Sequence, residues 1–431
     1  MKNPFFLIAV IALMFSPSLA FGTNGFWPHA YGAKSKAMAG ASVAMVHDGM
    51  AAAVNPAAMF IVGDELDLGL ALFSPRRAYQ ANNDMDSPPY AALDAGNFSS
   101  HNELFLIPSL SYNRRLDPQS TLGITVGANG GMNTEYRGPV FNNFADQTKP
   151  ETLPGDRTGI DFAQVFAGIT YARKVTAGNF LGVTPIIAAQ RFKAEGLQPF
   201  KPYSLHPDNL TDNGYDYSYG MGLRVGWFGR LSEALDAGIS YQSKIFNTRF
   251  ESYNGLLADE GRLDSPAIID AGFAYKVMPE LTLAFDYQRI FYSDVRAIGN
   301  SSALVFPPGG SAQPMLGTDA GLGFGWQDME IFKLGLQWQY NAQWAIRAGF
   351  SQGNEVFAGS EGLFNILAPA VIRRHYTMGF GRTIRNNSEL NFAFTYALNV
   401  ELPATNPNLG PQTFALEMEQ YDLEIGWVVK F

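Results

Sequence analysis

Apolar and polar residues alternate with a period of two up to the last residue of this chain. Its ending, YDLEIGWVVKF, puts Tyr421, Leu423, Ile425, Trp427, Val429 and Phe431 on one side of an extended segment. Asp422, Glu424, Gly426, Val428 and Lys430 take the other. A strand points successive side chains to opposite faces, so this pattern predicts one apolar face and one mostly polar or small face. The division recurs upstream. In ELNFAFTYALNV, Leu390, Phe392, Phe394, Tyr396, Leu398 and Val400 oppose Asn391, Ala393, Thr395, Ala397 and Asn399. In IFKLGLQWQY, Phe332, Leu334, Leu336, Trp338 and Tyr340 oppose Lys333, Gly335, Gln337 and Gln339. A helical period would scatter each set around a cylinder.

Fourteen such segments are predicted, near 64–73, 103–115, 120–131, 161–173, 179–194, 214–230, 233–248, 265–277, 280–292, 329–341, 343–352, 371–385, 388–400 and 415–431. Short turns such as RLDPQS, VTAGN, RLSE, MPE and NAQ join alternate pairs. Long Gly- and Pro-rich connections, up to 293–328, join the others. Aromatics such as Tyr215, Trp227, Tyr340 and Trp344 stand near strand ends. A soluble sandwich has no reason to sort its loops by parity, and so apolar a final strand would leave a sticky edge. The pattern predicts an all-β fold, a fourteen-stranded antiparallel transmembrane β-barrel with aromatic girdles at the two interfaces. An even strand number places both termini in the periplasm of a Gram-negative bacterium. Phe431 then serves as a lipid-side anchor and assembly signal.

The start of the chain is consistent with that address. MKNPFFLIAVIALMFSPSLA has a basic start at Lys2, an apolar run over 5–15 and small residues before a cut after Ala20. This predicts a secretory signal peptide over 1–20. The run is too short to span a membrane. Hydrophobic residues make up 47% of the chain, yet the mean hydropathy is -0.05, as interleaving requires. With no cysteine there is no disulfide framework, thiol nucleophile or zinc–thiolate site. A net charge of -9 argues against nucleic acid as a partner. No metal spacing and no cofactor are expected, and the barrel is expected to be a monomer.

Residues 21–63 do not alternate. The stretch GFWPHAYGAKSKAMAGASVAMVHDGMAAAVNPAAMF is rich in Ala, Gly and Met. It is too apolar for a free tail, so it is predicted to fold as an N-terminal hatch, with Phe21 and Phe26 at its start, plugging a barrel of residues 64–431. In Asn55-Pro56-Ala57, Asn at an N-cap and Pro at the first helical position favour a helix start. Phe105, Ile107, Phe162, Phe166, Ile186 and Phe192 fall on the lumen face. They either pack against the hatch or line a path for greasy substrate. Arg224, Lys244, Arg347 and Arg373 also read as inward. They either hold a substrate carboxylate or pair with Asp216, Asp236, Asp270 or Asp286. Gly127, Gly130 and Gly131 mark a kink in the third strand or the start of the next loop.

Enzyme readings find little support. Gly349-Phe350-Ser351-Gln352-Gly353 matches a nucleophile elbow, but the match needs a strand-to-helix turn, whereas here it ends a predicted antiparallel strand. Of the five histidines, only His375 falls on a predicted strand. The chain is read as a non-enzyme.

From Asn24 to Met59, and more loosely over the whole mature chain, the sequence resembles the FadL/TodX (OMPP1) family of outer-membrane transporters. Asn55-Pro56-Ala57 matches the family's Asn-Pro-Ala motif. The resemblance implies a hatch inside a fourteen-stranded barrel and passive uptake of hydrophobic compounds, long-chain fatty acids first, with aromatic hydrocarbons or alkanes as the alternative. It also implies release sideways, beside a kinked third strand. Hydrophobic small molecules, outer-membrane lipid and the barrel assembly machinery are the partners implied. The chain departs from the fatty-acid members in one respect: the connections after strands five and seven are short, which leaves the capture site unplaced.

Overall fold

The computed structural model describes residues 24–82, 90–306, 314–385, 387–408 and 412–431. The expected signal peptide and Phe21 lie outside the described residues. Fourteen long strands pair antiparallel with their neighbours: β1 Glu65–Ala81, β2 Phe105–Asp117, β3 Ser120–Arg137, β4 Arg157–Lys174, β5 Asn179–Glu195, β6 Asp216–Arg230, β7 Leu235–Gln242, β8 Ile268–Met278, β9 Leu281–Ile290, β10 Met329–Gln339, β11 Trp344–Gly353, β12 Arg374–Arg385, β13 Ser388–Thr405 and β14 Thr413–Lys430. β14 returns to β1 from Glu65↔Lys430 to Ala81↔Phe414 and closes the barrel. Two short ribbons, Gly96–Ser99 on β1 and Phe246–Asn247 on β6, are attached to it. Closure removes the two free edges that an open sheet would show to lipid.

Alternation sets which face is which. Leu70, Leu72, Leu106, Ile169, Met221 and Phe332 point outward and are exposed, as a lipid-facing band requires. Between them, inward residues such as Thr125, Gln164, Ser218, Asp286 and Asn391 are buried. Several boundaries differ from the expectation, two of them with consequences for the lumen. β1 continues through Pro75 and Arg77 to Ala81, where a loop was expected from residue 74. β7 stops at Gln242, and the chain then bends inward, burying Ile245. At the long-loop end, Phe141, Phe144, Phe200, Phe306 and Phe364 pack ring to ring into a cap over the barrel mouth.

The last residue sits at the short-turn rim. Its amide donates to the Asp64 carbonyl at 3.2 Å. Its ring stacks on Tyr112 with centroids 5.7 Å apart, under the guanidinium of Arg114. These ring contacts together are worth about 1–2 kcal/mol, placed on the seam that closes the barrel. Deleting Phe431 is expected to lower the yield of heat-modifiable folded barrel several-fold while export continues. Densitometry of heated and unheated membrane samples checks this, and an unchanged yield would show the terminal residue to be dispensable.

Candidate functional site

One seam of the barrel is incomplete. β2 pairs with β1 from Phe105 to Asn113, but with β3 only from Leu110 to Asp117. Beyond Val126, β3 leaves β2 and follows β4 to Arg137, with a register shift that leaves Asn129 unpaired. The glycines make this path possible. Gly130 has φ 126°, and a side chain there would overlap the carbonyl of Phe26. Gly131 instead donates its N–H to that carbonyl at 3.1 Å. The unpaired stretch of β2 contains Pro108, which lacks an N–H and so has one fewer group to satisfy. Near Gly127, Gly130 and Gly131 the register shift of β3 and the end of its pairing with β2 coincide.

The N-terminal segment lies inside the barrel and reaches strands all around it. Lys36 bridges Asp422 at 2.7 Å and Glu424 at 2.9 Å on β14. Lys34 pairs with Glu389 on β13 at 2.6 Å. Asp286 on β9 accepts from the amides of Ser42 at 2.6 Å and Val43 at 2.8 Å. Asn55 caps the turn at Pro56, its Oδ1 accepting from Ala57 N, while its Nδ2 donates to Val43 O and Trp227 O. Burial works against the Lys36 ammonium, but Asp422 and Glu424 outweigh it and hold the pKa above the ordinary lysine value. Burial, with His375, Lys36 and Lys333 adding to it, pushes His29 well below the usual histidine range.

Two stacked cavities follow the inner face of β1. The gap cavity, of about 40 Å³, lies between Tyr31 and Met50 of the N-terminal segment and Ile107, Ser109 and Gly127 at the break. Asp422 and Glu424 also line it, so two carboxylates face it against the single ammonium of Lys36. The loop-side cavity, of about 30 Å³, lies between Arg77, Met132, Asn133 and Trp326. Phe73 lines both.

The predicted lumen residues divide accordingly. Phe105 packs on Phe73, and Ile107 lines the gap cavity. The other four pack rather than line a path. Phe162 meets Phe26 edge-on at 5.7 Å, and Phe166 meets Tyr31 at 5.7 Å. Ile186 packs with Tyr31, Val43 and Met50, and Phe192 is covered by Phe250 and Tyr253 of the loop after β7.

Among the described residues, none of the four cations forms an ion pair with the expected aspartates. Arg224 donates to Ala52 O and Gln242. Arg347 bonds Gln337 and Asn391 and lies 3.7 Å from Glu389. Arg373 is not in the lumen: it lies ahead of β12 at the long-loop end and pairs with Glu355. Lys244 likewise lies beyond β7 and donates to Asp294 O. Of the aspartates, Asp286 binds backbone amides as above, and Asp270 accepts from Gln288. Ser351 and His375 are 3.1 Å apart, but both are buried on antiparallel strands with His375 stacked on His29, so there is no elbow.

Sequence reasoning missed Tyr31, Phe73, Arg77, Trp326, Asp422 and Glu424 as cavity residues. The continued alternation of Phe73, Pro75, Arg77 and Tyr79 was a signal for two of them.

A family model described as outer membrane protein transport protein (OMPP1/FadL/TodX) matches residues 207–424. No curated protein matches the sequence. Among solved structures, the chain is similar to the P. putida toluene transporter TodX at 17% identity and a TM-score of 0.68, over 94% of this chain and 99% of that one. It is similar to the Ralstonia pickettii toluene transporter TbuX at 18% identity and a TM-score of 0.62, over 94% and 99%. A Pseudomonas aeruginosa FadL homologue gives 14% identity and a TM-score of 0.68, over 94% and 100%. At these identities the likeness concerns the fold.

The docking of the N-terminal segment can be tested at Asp286. Asp286→Ala strands two buried amides, at a cost of about 1–3 kcal/mol each. Amide exchange at Ser42 and Val43 is expected to accelerate by at least tenfold, with the barrel strands unaffected. Unchanged exchange would show that these bonds do not hold the segment.

Proposed function

The chain belongs to the OMPP1/FadL/TodX family of outer-membrane transport proteins, whose model spans just over half of the sequence, and on that premise we propose that its cargo leaves sideways through the gap between β2 and β3. The family consists of transporter channels for hydrophobic compounds rather than enzymes. The observation that carries the lateral route is the broken pairing above Leu110 and Val126, with an apolar-walled cavity behind it. Cargo enters at the long-loop end, passes Phe73 and moves between β2 and β3 into the hydrocarbon layer. Long-chain fatty acids are the first cargo class. Aromatic hydrocarbons are the second, favoured by the similarity to two toluene transporters.

The surrounding assignments belong to the same reading. Residues 1–20 direct export and are removed. Residues 21–63 form a hatch that controls passage, with 64–431 as the barrel. Both termini face the periplasm, Phe431 is read by the barrel assembly machinery, and the barrel works as a monomer in outer-membrane lipid.

The absence of cysteine makes the route directly testable. Ser109 and Gly127 line the gap cavity on the two sides of the break, one residue beyond the last paired residues, Leu110 and Val126. A thiol-specific cross-linker joining Ser109→Cys to Gly127→Cys is expected to reduce uptake of a hydrophobic compound at least tenfold, with recovery on reduction. Ligand binding by the purified protein should persist. Undiminished uptake through a verified cross-linked barrel would exclude the lateral route and favour passage straight into the periplasm.

A further inference from the structure

A recess of about 520 Å³ lies on the outer wall of the barrel, over β9, β10 and β11. That volume is in the range of ligand pockets, about 300–1,000 Å³. Its floor is apolar: Phe285, Phe332, Leu334 and Phe350. Phe332 and Leu334 are exposed on the lipid-facing side. The rings of Phe285 and Phe332 stack with centroids 6.2 Å apart, and Phe350 meets Tyr376 of β12 at 5.2 Å. One end of the recess is polar. Glu330, Gln352 and Asn354 form a rim there, where β10 begins, β11 ends and the long connections start. The wall behind the recess is unbroken, since β10 pairs with β9 from Leu281↔Trp338 to Ile290↔Met329 and with β11 from Ile331↔Gly353 to Gln339↔Ala345. The recess therefore has no opening to the lumen through these ladders, and its occupant comes from the bilayer.

Depth and charge narrow the occupant further. From Leu334 to Glu330 the floor runs roughly 13 Å along the strand, about half of the 25 Å apolar band of such a barrel. The recess thus belongs to one leaflet, the one on the long-loop side. At the rim, Arg289 takes up the nearby carboxylates, Asp328 at 2.9 Å and Glu330 at 3.4 Å, and Tyr287 donates to Glu330 at 3.0 Å. Arg373 is paired with Glu355. Gln352 and Arg374 stand opposite each other on β11 and β12, and both are exposed. Their side chains form no hydrogen bond or ion pair among the described residues. A free guanidinium and a free amide therefore stand together at the head of an apolar slot one leaflet deep, which is the complement of an anionic membrane lipid.

We propose that this recess is a binding site for the phosphorylated, multiply acylated glycolipid of the outer leaflet, lipid A, with one acyl chain lying on Phe332, Leu334 and Phe350 and a phosphate held by Arg374 and Gln352. The guanidinium offers paired N–H donors to a phosphate. The choice of leaflet rests on the orientation read above, with both termini in the periplasm and the long connections outside. β10 stands eight strands on from β2 in the ring of fourteen, so a lipid held here leaves the gap between β2 and β3 uncovered.

The test is native mass spectrometry of the full-length protein in nonionic detergent, with lipid A and the same lipid stripped of its phosphates as probes. Wild-type protein is expected to retain the phosphorylated form at least tenfold better. Arg374→Gln is expected to lower that retention about tenfold, as for loss of a charged hydrogen bond, and to leave the stripped form within twofold. Leu334→Trp, which fills the slot, should reduce both. Equal retention of the two forms by wild-type protein, which needs no variant to fold, overturns the site. Unchanged retention of lipid A in Arg374→Gln also overturns it, as does a lipid-free dimer whose contact covers Phe332 and Leu334. The orientation is checked separately with Ala320→Cys, an exposed position in the long connection between β9 and β10. This thiol is expected to react with a membrane-impermeant maleimide on intact cells. Reaction only after permeabilisation overturns the orientation, and the lipid A assignment falls with it; reaction on intact cells together with equal retention overturns the site alone.

Discussion

A backbone amide in hydrocarbon must find a partner within the protein, and the structure is organised around the one seam where the neighbouring strand does not supply it. The other seams keep their ladders through shorter interruptions, and the closure of β14 on β1 is long and unbroken. Between β2 and β3 pairing stops at Leu110 and Val126. The Phe26 carbonyl then takes the N–H of Gly131, and Pro108 removes a donor from the exposed edge. The N-terminal segment is thus part of the wall at this point as well as a filling for the lumen. The gap cavity lies where those two roles meet.

The same segment is held by charge, which gives its position specificity rather than simple adhesion. Buried ions are costly unless paired, and even good pairs add little net stability. Their value here is registry. Lys36 finds Asp422 and Glu424, and Lys34 finds Glu389, all three on the last two strands. Lys34 and Lys36 therefore meet their partners only once the end of the chain has been built. Ionic docking of the segment therefore waits for the last two strands, which pair with each other.

Alternation made the strands legible because the lipid and lumen faces impose opposite chemistry at every residue. All fourteen long strands fall on predicted segments, and the parity of the loops carried the closed topology. The errors fall where two-fold alternation ceases to be the controlling rule. Pro75, Arg76 and Arg77 read as a loop, yet β1 continues because β14 still pairs with it after β2 has left. Proline in that stretch, like Pro108 in β2, was a mark of a strand short of one neighbour, available in the sequence and not used. Arg373 was placed in the lumen because its strand was extended by three residues too many. The partners of Lys36 and Asp286 could not be read at all, since they lie 386 and about 240 residues away along the chain. Whether Phe162 and Phe166 packed or lined a path also depended on where the N-terminal segment lay.

The position of the segment also bears on which way cargo can leave. Toward the short-turn end, Met59 and Phe60 pack with Ala172, Phe180 and Phe228, and Asn113 bonds the carbonyls of Met59 and Gly63. A straight path into the periplasm would have to displace this plug, and with it the ion pairs of Lys36 and the amides bound to Asp286. Breaking a single buried pair costs about 3–5 kcal/mol, and each stranded buried amide about 1–3 kcal/mol. Several would have to open together. The lateral path asks for none of these changes, because the ladder between β2 and β3 is already broken and the groups that broke it already have other partners. On energetic grounds the lateral route proposed above asks less of the fold than displacing the segment, whose Phe26 carbonyl binds Gly131 where the ladder breaks.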